Sequence, residues 1–216
     1  MLALLEQQAR AHADAVAYLL PDRVITYRRC WSRIERASAR LQGEWGVARG
    51  DLVAYVGHGH PDALILYLAL ARLGASLLPL EALASDSVQA ALASQPVTLV
   101  VHDEGTIVDA PATRLLRDLL EHWCHHDPEC LDEAHASSRL LIRSEQGQLQ
   151  SLSMDHLLSA MAPEVASVYV GERIFSLPVL SDVILPALHA AQELKFAATE
   201  RGDSRTADRR LLRTGS

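Results

Sequence analysis

Gly46-Val47-Ala48-Arg49-Gly50-Asp51-Leu52-Val53-Ala54-Tyr55-Val56, with its continuation to Glu81, is the stretch on which the fold turns. Gly50-Asp51 makes a turn, and Leu52–Val56 after it is dense in apolar and β-branched residues, as a strand requires. Pro61 then suits the first position of a helix and Gly74 its stop. Between them, Asp62–Leu73 is apolar nearly all round, which places that helix between layers. Ser76–Leu80 reads as a strand, Ser85–Ser94 as a helix and Val97–His102 as another strand. Strands and helices alternating through short connections predict a parallel sheet with right-handed crossovers.

Working outward, Leu2 to His12 reads as an amphipathic helix. Val16–Leu20 and Arg23–Tyr27 flank the turn pair Pro21-Asp22, so they predict a hairpin. Thr26 caps a helix whose apolar residues Tyr27, Trp31, Ile34, Ala37 and Leu41 recur at helical spacing, and Gly43 and Gly46 end it. Downstream the pattern predicts a helix over Ala112–Trp123 and strands at Leu140–Ile142 and Leu152–Met154. It then predicts a helix from an Asp155 cap to Met161, a strand at Arg173–Leu177 and a helix over Asp182–Lys195. The expected fold is α/β: a largely parallel, flavodoxin-like sheet with helices on both faces, preceded by an N-terminal helix and β-hairpin. Residues 1–196 are expected to form the domain. Residues 197–216, polar and rich in arginine, have no sustained apolar period and are expected to be disordered.

The chain has 216 residues, 49% hydrophobic and 22% charged, with a formal net charge of -7. That balance is ordinary for a globular protein and lacks the basic excess of a nucleic-acid binder. Its basic residues are almost all arginine; Lys195 is the single lysine, so no lysine stands ready as a phosphate clamp before it. The most apolar window, Ala63 to Leu80, is interrupted by Arg72 and Gly74 and reads as helix plus strand rather than a membrane span. The N-terminal residues do not read as a secretory signal. Three cysteines (Cys30, Cys124, Cys130) give no even disulfide framework, and a reducing cytoplasm is the expected compartment. His122, Cys124, His125, His126 and Cys130 match no recognised zinc spacing and read as a surface loop, so no metal site is expected. His58 and His60 lie at the carboxyl edge of the first parallel strand, where ligands bind in open α/β sheets, but they read first as turn and helix-cap residues.

Several ordered passages resemble the adenylate-forming superfamily: acyl- and aryl-CoA synthetases, nonribosomal peptide adenylation domains and luciferases. Thr26-Tyr27 resembles that family's early T-Y pair, and Gly46–Ala54 its G-V-x-x-G-D-x-V-A passage. His58–Asp62 stands where N-S-P-E is common. Leu68–Ala75 through Pro79-Leu80-Glu81 is similar to L-A-x-x-K-A-G-A-x-x-x-P-L-D. The match covers turns as well as apolar runs, which two unrelated α/β chains would not share.

The resemblance also says where an ATP phosphate loop belongs. The family's Y-T-S-G-T-T-G-x-P-K-G-V-x-x-T-H aligns without a gap on Leu141 to His156. A phosphate loop presents backbone N–H groups and small hydroxyls to an anion, with glycines allowing close approach. In this alignment Gly147 keeps a family glycine, whereas Ser144 and Ser151 replace two others. Gln150 stands at the lysine, Glu145 at a threonine, Gln146 at the next threonine and Arg143 at the serine. A carboxylate at Glu145 would face the triphosphate, and like charges in a partly desolvated site repel strongly. Farther on, Ser176–Ser181 is similar to L-P-L-F-H, with Ser181 at the substrate-side histidine.

The resemblance therefore implies an AMP-binding scaffold with a vestigial loop at Arg143, Ser144, Glu145, Gln146, Gly147, Gln150 and Ser151, and no catalytic residue. ATP and magnesium, the family's cofactors, are not expected to be used. Three roles stay open at this point: a degenerate homologue acting through protein contacts, a partial ligase completed in trans by another chain, and a relic with no selected function. A protein partner, or self-association through an exposed edge, is the expected kind of contact; nucleic acid and membrane are not.

Overall fold

The computed structural model describes residues 2–81, 84–106, 108–121, 137–143, 148–161, 169–170 and 174–196. Helix α1 (Leu2–Ala11) is followed by the antiparallel pair β1 (Val16–Leu20) and β2 (Arg23–Thr26). The Thr26 hydroxyl accepts the Arg29 N–H and caps α2 (Tyr27–Gly43). Then come β3 (Leu52–Val56), α3 (Asp62–Leu73), β4 (Ser76–Pro79), α4 (Ser85–Ala93) and β5 (Val97–His102), close to the boundaries the pattern predicts. Gly74 ends α3 in the left-handed conformation, φ 72°, which a side chain would strain.

Strand order in the main sheet is β6-β5-β3-β4-β7-β8, where β6 is Thr113–Leu115, β7 Arg139–Arg143 and β8 Leu149–Ser153. All neighbours are parallel except β7 and β8. Side chains alternate across β3: Val53 and Tyr55 enter one core, Leu52, Ala54 and Val56 the other. Helices α2 and α3 fill the first; Val88 and Ala91 of α4 cover the second. Of the 12 residues of α3, 11 are buried. Each large apolar side chain so placed contributes about 1.5–3 kcal/mol.

Three expectations are corrected. Thr113–Leu115 is a strand on the edge of the sheet, so of the described residues of the predicted helix only α5 (Asp118–Glu121) is helical; residues 122 and 123 lie outside the described ones. Tertiary pairing with β5 overrides the local helical pattern there. Ile174 and Phe175 form a turn instead of a strand. Leu177–Val179, Leu180–Ile184 and Leu185–His189 make one continuous helical run, α7, whose middle is π-wound. Pro186 lies just beyond that stretch; an α-helical proline would clash with the carbonyl four residues back, on Asp182, and a wider turn relieves the clash.

Leu194–Phe196 is a strand, β10, where a helix was predicted. It runs parallel between β1 and the two-residue β9 (Tyr169–Val170), giving a second sheet of order β2-β1-β10-β9. The hairpin therefore belongs to a second layer, and α3 shares one continuous core with Tyr18, Leu194 and Phe196 of that sheet.

Candidate functional site

The hairpin β7–β8 occupies the position assigned to the phosphate loop. Leu140, Ile142 and Leu152 turn into the core and anchor it. Its register pairs Leu141 with Ser151, Ile142 with Gln150 and Arg143 with Leu149. Paired residues share a face, so Arg143 and Ser151 lie on one face and Gln150 on the other. All three are exposed. Ser144, Glu145, Gln146 and Gly147 lie outside the described residues. Ser153, not Asp155, caps α6 (Met154–Ser159), its hydroxyl accepting the His156 N–H at 3.1 Å. A residue with extended backbone is needed at a cap, and β8 delivers Ser153 in that geometry.

Ser181 lies in the π-wound part of α7. It is 6% exposed, and its hydroxyl donates to Asp182 Oδ1 at 2.7 Å. The structure thus spends this side chain on its neighbour. The residues His122 to Cys130 lie outside the described region, and among the described residues no group of three or more histidine, cysteine or acidic side chains could hold a metal.

A second polar cluster was only half legible. The chain passes from β3 through α3 to β4 on one side, then returns through α4 to β5 on the other. The carboxyl ends of β3 and β5 therefore flank a topological switch point. There the buried Tyr55 hydroxyl donates to Asp103 Oδ2 at 2.9 Å and accepts the His60 N–H at 3.1 Å. The His58 N–H reaches the same Asp103 oxygen at 2.8 Å. A Cβ on Gly57 would fall inside contact distance of both the Asp103 carboxylate and the Tyr55 hydroxyl, so a side chain there would have to push these two groups aside. Burial first, and the Asp103 charge second, push the Tyr55 phenol well above its usual range. These groups satisfy one another and fix the β3–α3 loop. His58 and His60 take part through their backbone N–H groups, in keeping with the turn-and-cap reading.

Next to this clasp, the His60 ring Nδ1 accepts the Asp62 N–H at 3.1 Å. The Asp62 carboxylate is paired with buried Arg33 of α2 and, at 3.3 Å, with Arg23 of β2. One carboxylate thus ties the hairpin, α2 and α3 together. Arg33 on the otherwise apolar face of Cys30, Ile34 and Ala37 was the available signal in the sequence; Asp103 offered none. Cys30 is buried beside them, and burial pushes its thiol up to about 12 although Arg33 pulls the other way, so it is no nucleophile at neutral pH.

The fold is thus a parallel α/β layer that carries an antiparallel hairpin at its edge and is backed by a second sheet. The N-terminal subdomain of NpsA from Klebsiella oxytoca superposes with a TM-score of 0.75 at 19% identity, over 98% of this chain and 57% of that one. The o-succinylbenzoate CoA synthetase of Bacillus subtilis superposes with a TM-score of 0.72 at 14% identity, over 90% of this chain and 43% of that one. These likenesses speak for the fold. The family model described as AMP-binding enzyme matches residues 5–167, and the chain belongs to that family. In sequence the chain is similar to the D-alanine–D-alanyl carrier protein ligase of Bacillus licheniformis, 26% identical over 110 residues, 50% of this chain and 22% of the ligase. It is 33% identical over 76 residues to the indoleacetate–CoA ligase of Aromatoleum aromaticum, 35% of this chain and 15% of that enzyme. The chain thus corresponds to the N-terminal portion of an adenylation domain. Among the described residues no helix is long and apolar enough to cross a membrane.

Proposed function

We propose that this chain is an AMP-binding scaffold without independent ATP-dependent activation of a carboxylate, and that it acts through protein contacts. The observation carrying the reading is the hairpin: Gln150 stands at the family's lysine, on the face opposite Arg143, and Ser151 at a glycine. A neutral amide supplies no cationic contact to a phosphate, and Arg143 points from the other face. Glu145, at a threonine position, adds a negative charge to the same loop. On the substrate side, Ser181 is turned onto Asp182. Residues that hold the scaffold, from Thr26 to Glu81, keep the family pattern while those that work the nucleotide do not.

Isothermal calorimetry with ATP and magnesium tests this. The native chain should show no micromolar binding, and the Gln150→Lys/Glu145→Thr variant should gain affinity without gaining ligase turnover. Micromolar ATP affinity in the native chain would overturn the proposal.

A further inference from the structure

We infer that β8 is a pairing edge through which two copies of this chain join, antiparallel, about a twofold axis centred on Ser151. This rests on the reading that the chain acts through protein contacts and names the surface and the partner.

An edge strand presents unpaired N–H and C=O groups, and proteins normally blunt such edges with charge, proline, bulges or shortness. The edges of the two sheets can be compared on that basis. Edge β2 carries exposed Arg23, β6 carries exposed Arg114, and β9 has two residues. Edge β8 has five residues, Leu149-Gln150-Ser151-Leu152-Ser153, with no charge, no proline and a regular ladder to β7. Among the described residues no element pairs with its outer side. Leu149, 38% exposed, is one of two exposed large apolar side chains among the described residues; the other, Val24, lies on β2 beside the charged Arg23. The motif that this segment resembles has proline, lysine and glycine where Leu149, Gln150 and Ser151 stand. Proline lacks an N–H, lysine adds charge and glycine weakens a strand, so the three replacements remove three guards at once.

A second copy is the occupant that the strand itself specifies. Antiparallel self-pairing about Ser151 sets Ser151 against its symmetry mate, Gln150 against Leu152 and Leu149 against Ser153. No like charges meet, and each copy offers the same patch, as a twofold interface requires. The result is a continuous sheet of twelve strands. A five-residue strand pair is a small interface, so the dimer should be concentration-dependent rather than obligate.

Sedimentation velocity on the full chain across a concentration series tests this, with circular dichroism to check folding. The native chain should shift from monomer to dimer. Ser151→Lys and Ser151→Glu should each stay folded and monomeric, because like charges meet at the axis. Mixed in equal amounts, the two variants should restore the dimer. A native chain monomeric throughout, a dimer indifferent to Ser151→Lys, or a strand donated only by a different protein would each overturn the inference. ATP calorimetry on the same native sample separates the two ideas: nucleotide binding removes the no-activation reading whatever the mass, and a monomer that ignores ATP removes only the twofold pairing.

Discussion

The two ends of the main sheet's chemistry are built on opposite plans. At the carboxyl ends of β3 and β5, Tyr55, Asp103 and the His58 and His60 amides bond to one another, and Asp62 next door is locked to Arg33 and Arg23. At the β7–β8 hairpin the corresponding polar side chains, Arg143, Gln150 and Ser151, stand exposed on two faces. The first region is polar for the sake of the fold. Changes there should be felt in stability, whereas changes in the second should be felt only in what the hairpin touches.

The largest effect expected from breaking this contrast is at Asp62. Asp62→Ala strands the buried Arg33 guanidinium without its partner, and removing one member of a buried pair costs about 3–5 kcal/mol. Urea melts followed by circular dichroism should show that loss, with Asp62→Asn falling between the variant and the native chain. A loss below 1 kcal/mol would mean that the pair is solvated, and the plan drawn for this region would fail.

Tyr55→Phe comes next. The change removes the donor to Asp103 and the acceptor for the His60 amide while keeping the ring against Phe175. About 1–3 kcal/mol is expected, since a buried group left unsatisfied carries its desolvation cost. The same melts measure it, and proteolysis across His58–Pro61 should quicken if the loop is what the clasp holds.

What could be read in advance follows the same division. The run from Thr26 to His102 was legible because its helices and strands obey apolar periods and its turns are marked by Gly50, Pro61 and Gly74. The second half was less so. Leu194–Phe196 looks helical locally, and only pairing between β1 and β9 makes it a strand. Thr113–Leu115 becomes a strand for the same reason, through β5. Non-local pairing leaves little trace in local sequence, and two of the corrections come from it. Of the site, the two flanking strands were legible at Leu140–Ile142 and Leu152. The second strand begins earlier, at Leu149, inside a polar stretch that reads as a connection, and Met154 already belongs to the helix after it. The Tyr55–Asp103 contact was not legible, because its two members lie 48 residues apart and meet only when β3 and β5 pair.

The smallest effect is expected at the hairpin itself. Gln150 is exposed, and its neighbours Ile142 and Leu152 carry the packing without help from its amide. Gln150→Ala should therefore change stability by no more than about 0.5 kcal/mol, the ordinary range for a surface position away from caps and buried pairs. The contrast with Asp62 is the point of the measurement, because the two substitutions remove polar groups of similar size. If Gln150→Ala instead destabilised the chain as strongly as Tyr55→Phe, the amide would be supporting the fold through a contact in the loop between β7 and β8. The amide at the position of the family's lysine would then serve the fold, and the proposed lack of a cationic contact to nucleotide would be a by-product of how the hairpin is built.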